Sequence, residues 1–204
     1  MSPSATIFSV IVIASILGSA VATKGLNPVH SETHMAEFIN TSCKVTLYPQ
    51  VCVSSLFSYA GSLKATQSDI VKAAVQASLV NARNISVWAT GMKTRGATMS
   101  KREKAALVDC IENFGVTTDQ IRESLSELKK LQRNTFKFQM SNVKTWMSAA
   151  LTNENSCLDG FQVVKGRVEA MVTARVHYMC KLISNALALI NRFAHMDEDN
   201  QIHV

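Results

Sequence analysis

Apolar residues recur at steps of three and four along four long stretches of this chain, the spacing of helices that each bury one face. The first stretch carries Val71, Val75, Leu79, Ala82, Ile85, Ala89 and Met92, with Ser68 as candidate N-cap, Asp69 in the first turn, and Gly91 and Gly96 at its fraying end. The second opens on Ser100 with Glu103 three residues on, a pair able to cap each other's backbone N–H groups. It continues through Leu107, Ile111, Phe114, Thr118, Ile121, Leu125 and Leu128, a seven-residue repeat with Cys110 beside the seam. Phe136, Met140, Val143, Met147, Ala150 and Cys157 mark the third, ending near Asp159-Gly160, and Val168, Val172, Met179, Leu182, Ala186, Leu189 and Phe193 the fourth. Upstream lie two shorter apolar runs, Ala36 to Cys43 and Val51 to Leu56, separated by Tyr48-Pro49. The residue before a proline is pushed out of the helical region and proline suits a first helical turn, so the chain reverses there. The pattern predicts an all-α protein: an N-terminal helical hairpin over 31–60, an up-down-up-down four-helix bundle over 68–194, and a polar tail over 195–204.

The first residues read differently. Ile7 to Leu17 is apolar but too short for a membrane span, and Ala20-Val21-Ala22 has the small-x-small form of a signal-peptidase site. This predicts a signal peptide over 1–22, a polar extension over 23–30, and a secreted, extracellular chain with no later membrane segment. Disulfides persist in that setting. Five cysteines are present, and two bridges can be drawn among them in several ways. Local spacing favours Cys43 with Cys52, clamping the hairpin, and Cys110 with Cys157, tying two long helices, with Cys180 left as a free thiol. By the chain-entropy account these loops stabilise by about 2.6 and about 4 kcal/mol. Asn40-Thr41-Ser42 and Asn84-Ile85-Ser86 are glycosylation sequons, and Asn84 lies off its helix's apolar stripe.

Charge narrows the partners. A net charge of +6 on a secreted chain points to a polyanionic polysaccharide or an acidic protein and away from nucleic acid. The sequence has no glycine-rich phosphate loop, no Gly-x-Ser-x-Gly, no His-Glu-x-x-His and no paired Cys-x-x-Cys. No enzyme activity, cofactor or metal is expected. His30 and His34 stand at i, i+4 but in the N-terminal extension, and His177 reads as a packing residue beside Tyr178. Asp109 and Glu112 flank Cys110, while Glu154, Ser156 and Asp159 flank Cys157, so a bridge would gather an acidic, hydroxyl-bearing patch. Two such carboxylates can in principle work as acid and base. A bundle face without a cleft favours binding instead.

The segment Ser148-Ala149-Ala150-Leu151-Thr152-Asn153-Glu154-Asn155-Ser156-Cys157-Leu158-Asp159-Gly160-Phe161, with Asp109-Cys110 upstream and Ser184-Asn185-Ala186-Leu187-Ala188-Leu189 downstream, resembles the plant invertase and pectin methylesterase inhibitor family. So does the Cys43 to Cys52 spacing, and the likeness spans the mature chain. It implies a four-helix bundle with an N-terminal hairpin, cysteines paired first with second and third with fourth, and a place in the plant cell wall. Two activities share that fold. The invertase inhibitors resemble one another in a Pro-Lys-Phe segment, and here Thr135-Phe136-Lys137-Phe138 lacks the proline. The resemblance therefore implies a secreted inhibitor of plant pectin methylesterase, forming a stoichiometric complex that blocks the pectin-binding cleft; the alternative is an inhibitor of cell-wall or vacuolar acid invertase. Weak contact with pectin belongs to the same expectation. With no catalytic domain after Phe193, a free-standing inhibitor is expected rather than a pro-region. The family's contact positions match Glu112, Ser156 and Asp159, with serine where a threonine is also used.

Overall fold

A computed structural model of the 204-residue chain describes residues 28–95 and 99–201, so the segment read as a signal peptide lies outside the described residues. All regular structure among them is helical. The hairpin is formed by α1 (Pro28–Cys43) and α2 (Pro49–Phe57), and the bundle by α3 (Gln67–Arg95), α4 (Lys101–Leu128), α5 (Phe136–Gly160) and α6 (Arg167–Gln201). Single 3-10 turns at Ala60–Ser62 and Arg133–Thr135 tighten two of the connections. The main packing contacts run α3 to α4, α4 to α5, α5 to α6 and α6 back to α3, closing a ring of four. The hairpin sits on α3 and α6.

Local chemistry explains three of the six helix starts. The Ser100–Glu103 capping box is complete: the Glu103 N–H donates to Ser100 Oγ at 3.2 Å, and the Ser100 N–H donates to Glu103 Oε2 at 2.8 Å. Pro49 occupies the first turn of α2, with Tyr48 outside the helical region. For α3 the cap is Thr66 rather than Ser68, because Thr66 Oγ1 accepts the Asp69 N–H at 3.1 Å. The chain arrives through Ala65, whose φ of 55° places it in the left-handed region. At the other end of the bundle α6 continues to Gln201, past the point where a polar tail was expected to begin. No glycine or proline follows Phe193 to stop it, and acidic residues near the end weaken a helix without ending it.

The core has two parts. One joins the hairpin (Ile39, Leu56) to the middle of the bundle (Val75, Leu125, Met140, Met147, Ile183); the other gathers Ile85, Leu107, Phe114, Phe161, Val168, Val172 and Val176 around Cys110 and Cys157. The stripes expected for α3 to α6 face these cores with two adjustments. Ile111 is only partly buried while Cys110 points inward, because Cys110 is bonded across to α5. On α6 the buried face is wider than the stripe, taking in Val176, Ile183 and Ile190, since this helix meets α3, α5 and the hairpin.

Two buried amides hold the joints. The Asn185 side chain on α6 accepts from the Tyr48 N–H at 3.0 Å and donates to the Tyr48 carbonyl at 2.9 Å, satisfying both backbone groups at the hairpin's turn. Gln139 does the same for the α4–α5 connection, accepting from the Gln132 N–H and Thr135 hydroxyl and donating to the Lys130 carbonyl at 3.0 Å.

Candidate partner-binding site at the α4–α5 bridge

Cys110 and Cys157 form a disulfide that draws α4 and α5 to a Cα–Cα distance of 4.6 Å, and both are buried. A second bridge joins Cys43 to Cys52, with Cα atoms 5.7 Å apart, across the hairpin turn. Cys180 is the free thiol.

Residues near the α4–α5 bridge divide by their place on each helix. Glu112 and Asp159 each follow a bridged cysteine by two residues, which turns them about 200° from it. Both are exposed. Asp109 shares a face with Glu112, and Ser156 shares one with Asp159, in each case three residues apart. The geometry sets the two pairs on the outer sides of the joined helices, so they frame the bridge rather than converge on one reacting atom. Ser156 Oγ donates to the Thr152 carbonyl at 3.1 Å, and Asp159 Oδ1 accepts from Gln162 Nε2 at 2.7 Å. None of the three residues Glu112, Ser156 and Asp159 contributes to the core.

Glu154 departs from the patch expected of it. Its side chain is fully buried, and neither carboxylate oxygen has a hydrogen-bond partner. Thr117 on α4 stands beside it, but that hydroxyl donates to the Ala150 carbonyl at 3.4 Å. Burial pushes the Glu154 carboxyl up to about 7, outweighing the nearby Thr117 hydroxyl, which pulls the other way. Across on α6, burial and the nearby Glu154 push the Cys180 thiol up to about 12, which leaves it a poor nucleophile.

Other singled-out residues fall elsewhere. His177 is exposed, not packed, and His34 is exposed on α1. The His30 side chain lies outside the described residues. Among the described residues no group of three His, Cys, Asp or Glu side chains is placed to hold a metal, and no helix is long and apolar enough to cross a membrane. Trp88 is half-buried beneath the Arg175 guanidinium, 3.9 Å from its ring centroid. Asn40 and Asn84 are both exposed; the Asn40 amide donates to the Ala36 carbonyl at 2.8 Å.

A ring of four helices clamped by one bridge and capped by a bridged hairpin defines the class: a small, disulfide-stapled helical bundle. The comparisons place it further. A family model described as plant invertase/pectin methylesterase inhibitor matches residues 37–189, and the chain belongs to that family. Pectinesterase inhibitor 11 of Arabidopsis thaliana is 42% identical over 165 residues, covering 77% of this chain and 80% of that protein. Pectinesterase inhibitor 9 of the same plant is 36% identical over 197 residues, covering 93% and 94%. Among solved structures, mutant form A of a pectin methylesterase inhibitor from Arabidopsis matches with a TM-score of 0.61 at 18% identity, covering 75% of this chain and 95% of that one. At that identity the likeness is one of fold.

Proposed function

We propose that this chain is a non-enzymatic inhibitor of pectin methylesterase that binds the esterase one to one and closes its pectin-binding cleft. The observation that carries this reading is the sustained identity, over nearly the whole chain, to relatives named pectinesterase inhibitors. Two features of the molecule support it. Glu112, Ser156 and Asp159 stand exposed around the Cys110–Cys157 bridge, and the bonds that Ser156 and Asp159 make are local, to Thr152 and Gln162. Glu112, Ser156 and Asp159 are therefore the contact residues in this proposal, giving charge-assisted hydrogen bonds to the esterase. Inhibition of acid invertase, the other activity of the family, has no comparable support among these relatives.

The setting belongs to the same proposal. A leader over 1–22 would deliver the inhibitor to the apoplast, where the bridges are stable. There its net charge of +6 gives weak attraction to the galacturonate carboxylates of pectin. Titration of the purified protein against a plant pectin methylesterase and an acid invertase tests the proposal. The expected result is saturation at one inhibitor per esterase with invertase untouched. Inhibition of invertase alone would overturn it.

A further inference from the structure

On the ring of helices the α3–α6 seam lies opposite the α4–α5 bridge, and two adjoining hollows open along it. One, of about 490 Å³, is walled by Asn81, Asn84, Trp88, Arg175 and Tyr178; the other, of about 270 Å³, shares Asn81, Asn84 and Tyr178 and reaches the serines of α2. Asn84 thus stands where the hollows meet, with an exposed side-chain amide that makes no hydrogen bond. Its surroundings are unusual for a polar site. Val80 and Val87, which flank Asn84 on its own helix face, are 41% and 73% exposed, and Tyr178 across the seam is 42% exposed. Exposed apolar surface bordering a concave, polar-lined hollow marks a place that something covers.

We propose that Asn84 carries an N-linked glycan whose first N-acetylglucosamine rings lie in this trough, against Tyr178 and Val80. The inference rests on the secretory reading of residues 1–22. Asn84-Ile85-Ser86 is an acceptor sequon. In the transfer, Asn84 Nδ2 forms a bond to the anomeric carbon of a lipid pyrophosphate-linked oligosaccharide, the bond from that carbon to the pyrophosphate oxygen breaks, and Nδ2 loses a proton; nothing is oxidised or reduced. The seated sugar offers its apolar ring face to Tyr178 and its hydroxyl and acetamido groups to Asn81, Arg175 and the α2 serines. Arg175 holds no ion pair with a carboxylate among the described residues, its only hydrogen bond going to the Met171 carbonyl. The other sequon fits less well: the Asn40 amide is engaged with Ala36, and Ser42 is buried beside the first bridge. Seated this way, the glycan ties the hairpin to α3 and α6 and leaves the α4–α5 side open for the esterase.

The test uses protein secreted by plant cells. Its N-terminus is sequenced and its intact mass is measured before and after enzymatic removal of N-glycans. Ser86→Ala removes the sequon while sparing Asn84, since the Ser86 hydroxyl makes no hydrogen bond and its neighbour Thr90 uses only the Ser86 backbone carbonyl. The expected results are one glycan at Asn84, a melting temperature lower by at least about 2 °C in Ser86→Ala than in the secreted parent, and no difference when both are made without glycosylation in bacteria. In the background of Tyr178→Ala the effect of Ser86→Ala should shrink. A processed, secreted protein without a glycan at Asn84 overturns the site but not the secretory route. An unprocessed, retained chain overturns both. A glycan at Asn84 that leaves the melting temperature unchanged, or an effect that ignores Tyr178, overturns the seating. Esterase titration of the same samples keeps the inhibitory reading separate.

Discussion

Replacing Glu154 with glutamine should stabilise the protein at neutral pH and change it little in acid. The carboxyl has an ordinary value of 4.5 and is pushed to about 7 by burial without a hydrogen-bond partner. Below about pH 4.5 it is protonated in both folded and unfolded chains and contributes no pH dependence. Between these values the folded chain retains a proton that the unfolded chain has released, so stability falls as pH rises. Above about 7 the group is ionised in both states, and the folded protein bears the whole cost. At about 1.4 kcal/mol per pH unit the gap amounts to about 3 kcal/mol. The groups facing Glu154 do not reverse the sign: Thr117 of α4 is uncharged and already donates to Ala150, and the Cys180 thiol of α6 stays neutral throughout this range.

Thermal unfolding followed by circular dichroism from pH 4 to 8 measures the effect. Other carboxylates also titrate there, so the useful quantity is the difference between Glu154→Gln and the parent at each pH. For a chain of this size about 3 kcal/mol corresponds to roughly 6–12 °C, with the variant higher at pH 8 and the two nearly equal at pH 4. Glutamine keeps the shape and polarity of the protonated acid, so packing is not the variable. Melting curves that stay parallel across the whole range would refute the claim that Glu154 ionises in a buried site without compensation. In surroundings near pH 5 or below the cost is small, and the protein is loosened mainly on moving to neutral conditions.

Asp159→Ala should weaken esterase inhibition at least about tenfold, roughly 1.4 kcal/mol, with the melting curve within about 0.5 kcal/mol of the parent; Gln162→Ala, which removes the same turn contact but keeps the carboxylate, should inhibit normally. Glu112→Ala should act in the same direction as Asp159→Ala, and a loss of stability in step with a loss of inhibition would remove either residue from the contact surface. Cys110→Ser should cost about 4 kcal/mol by loop entropy. Cys180 should alkylate slowly at pH 8 in the folded protein because its thiol is pushed up to about 12, and rapid labelling under native conditions would contradict that environment. Asn185→Ala should cost about 1–3 kcal/mol, since it strips the partner from the Tyr48 N–H while the Tyr48 carbonyl keeps the Cys52 N–H, and hydrogen exchange should quicken in α1 and α2 ahead of α4 and α5. Uniform quickening would mean that Asn185 does not act as the hairpin's joint.

Most of the architecture was legible because it depends on period and punctuation. Steps of three and four along α3 to α6, Pro49 after Tyr48, and the Ser100–Glu103 pair are local signals, and tertiary packing agrees with each of them. Errors came where a local signal had competitors. Ser68 and Thr66 are both acceptable caps, and only the positive φ at Ala65 shows why the chain enters the helix at the earlier one. His177 looked inward beside apolar neighbours, yet the inward positions of its turn are taken by Val176 and Met179. Around the second bridge the sequence could not tell the buried Glu154 from the exposed Ser156 and Asp159. Helix rotation decides that difference, and rotation is set by the bonded partner helix.

The residues hidden by the apolar pattern share a position but not a role. Gln139, Asn185 and Glu154 are polar side chains at inward positions of α5 and α6, where period alone predicts a hydrophobe. Two of them are explained by what they satisfy: backbone groups at the α4–α5 turn and the Tyr48 N–H at the hairpin, which no helix ladder reaches. Glu154 satisfies nothing and lies within one turn of Cys157 and Ser156 and within two of Asp159. A chain selected only for stability would carry a hydrophobe or a paired amide there, because an unpaired buried carboxylate is costly once ionised. Departures from local consistency concentrate where function constrains a sequence. The one uncompensated polar group in the described core therefore falls in the stretch of α5 proposed to meet the esterase, and the two conclusions bear on each other: if Glu154→Gln stabilises the fold but also dulls inhibition near neutral pH, the buried carboxylate serves the contact surface, whereas stabilisation with inhibition intact makes it an independent feature of the core.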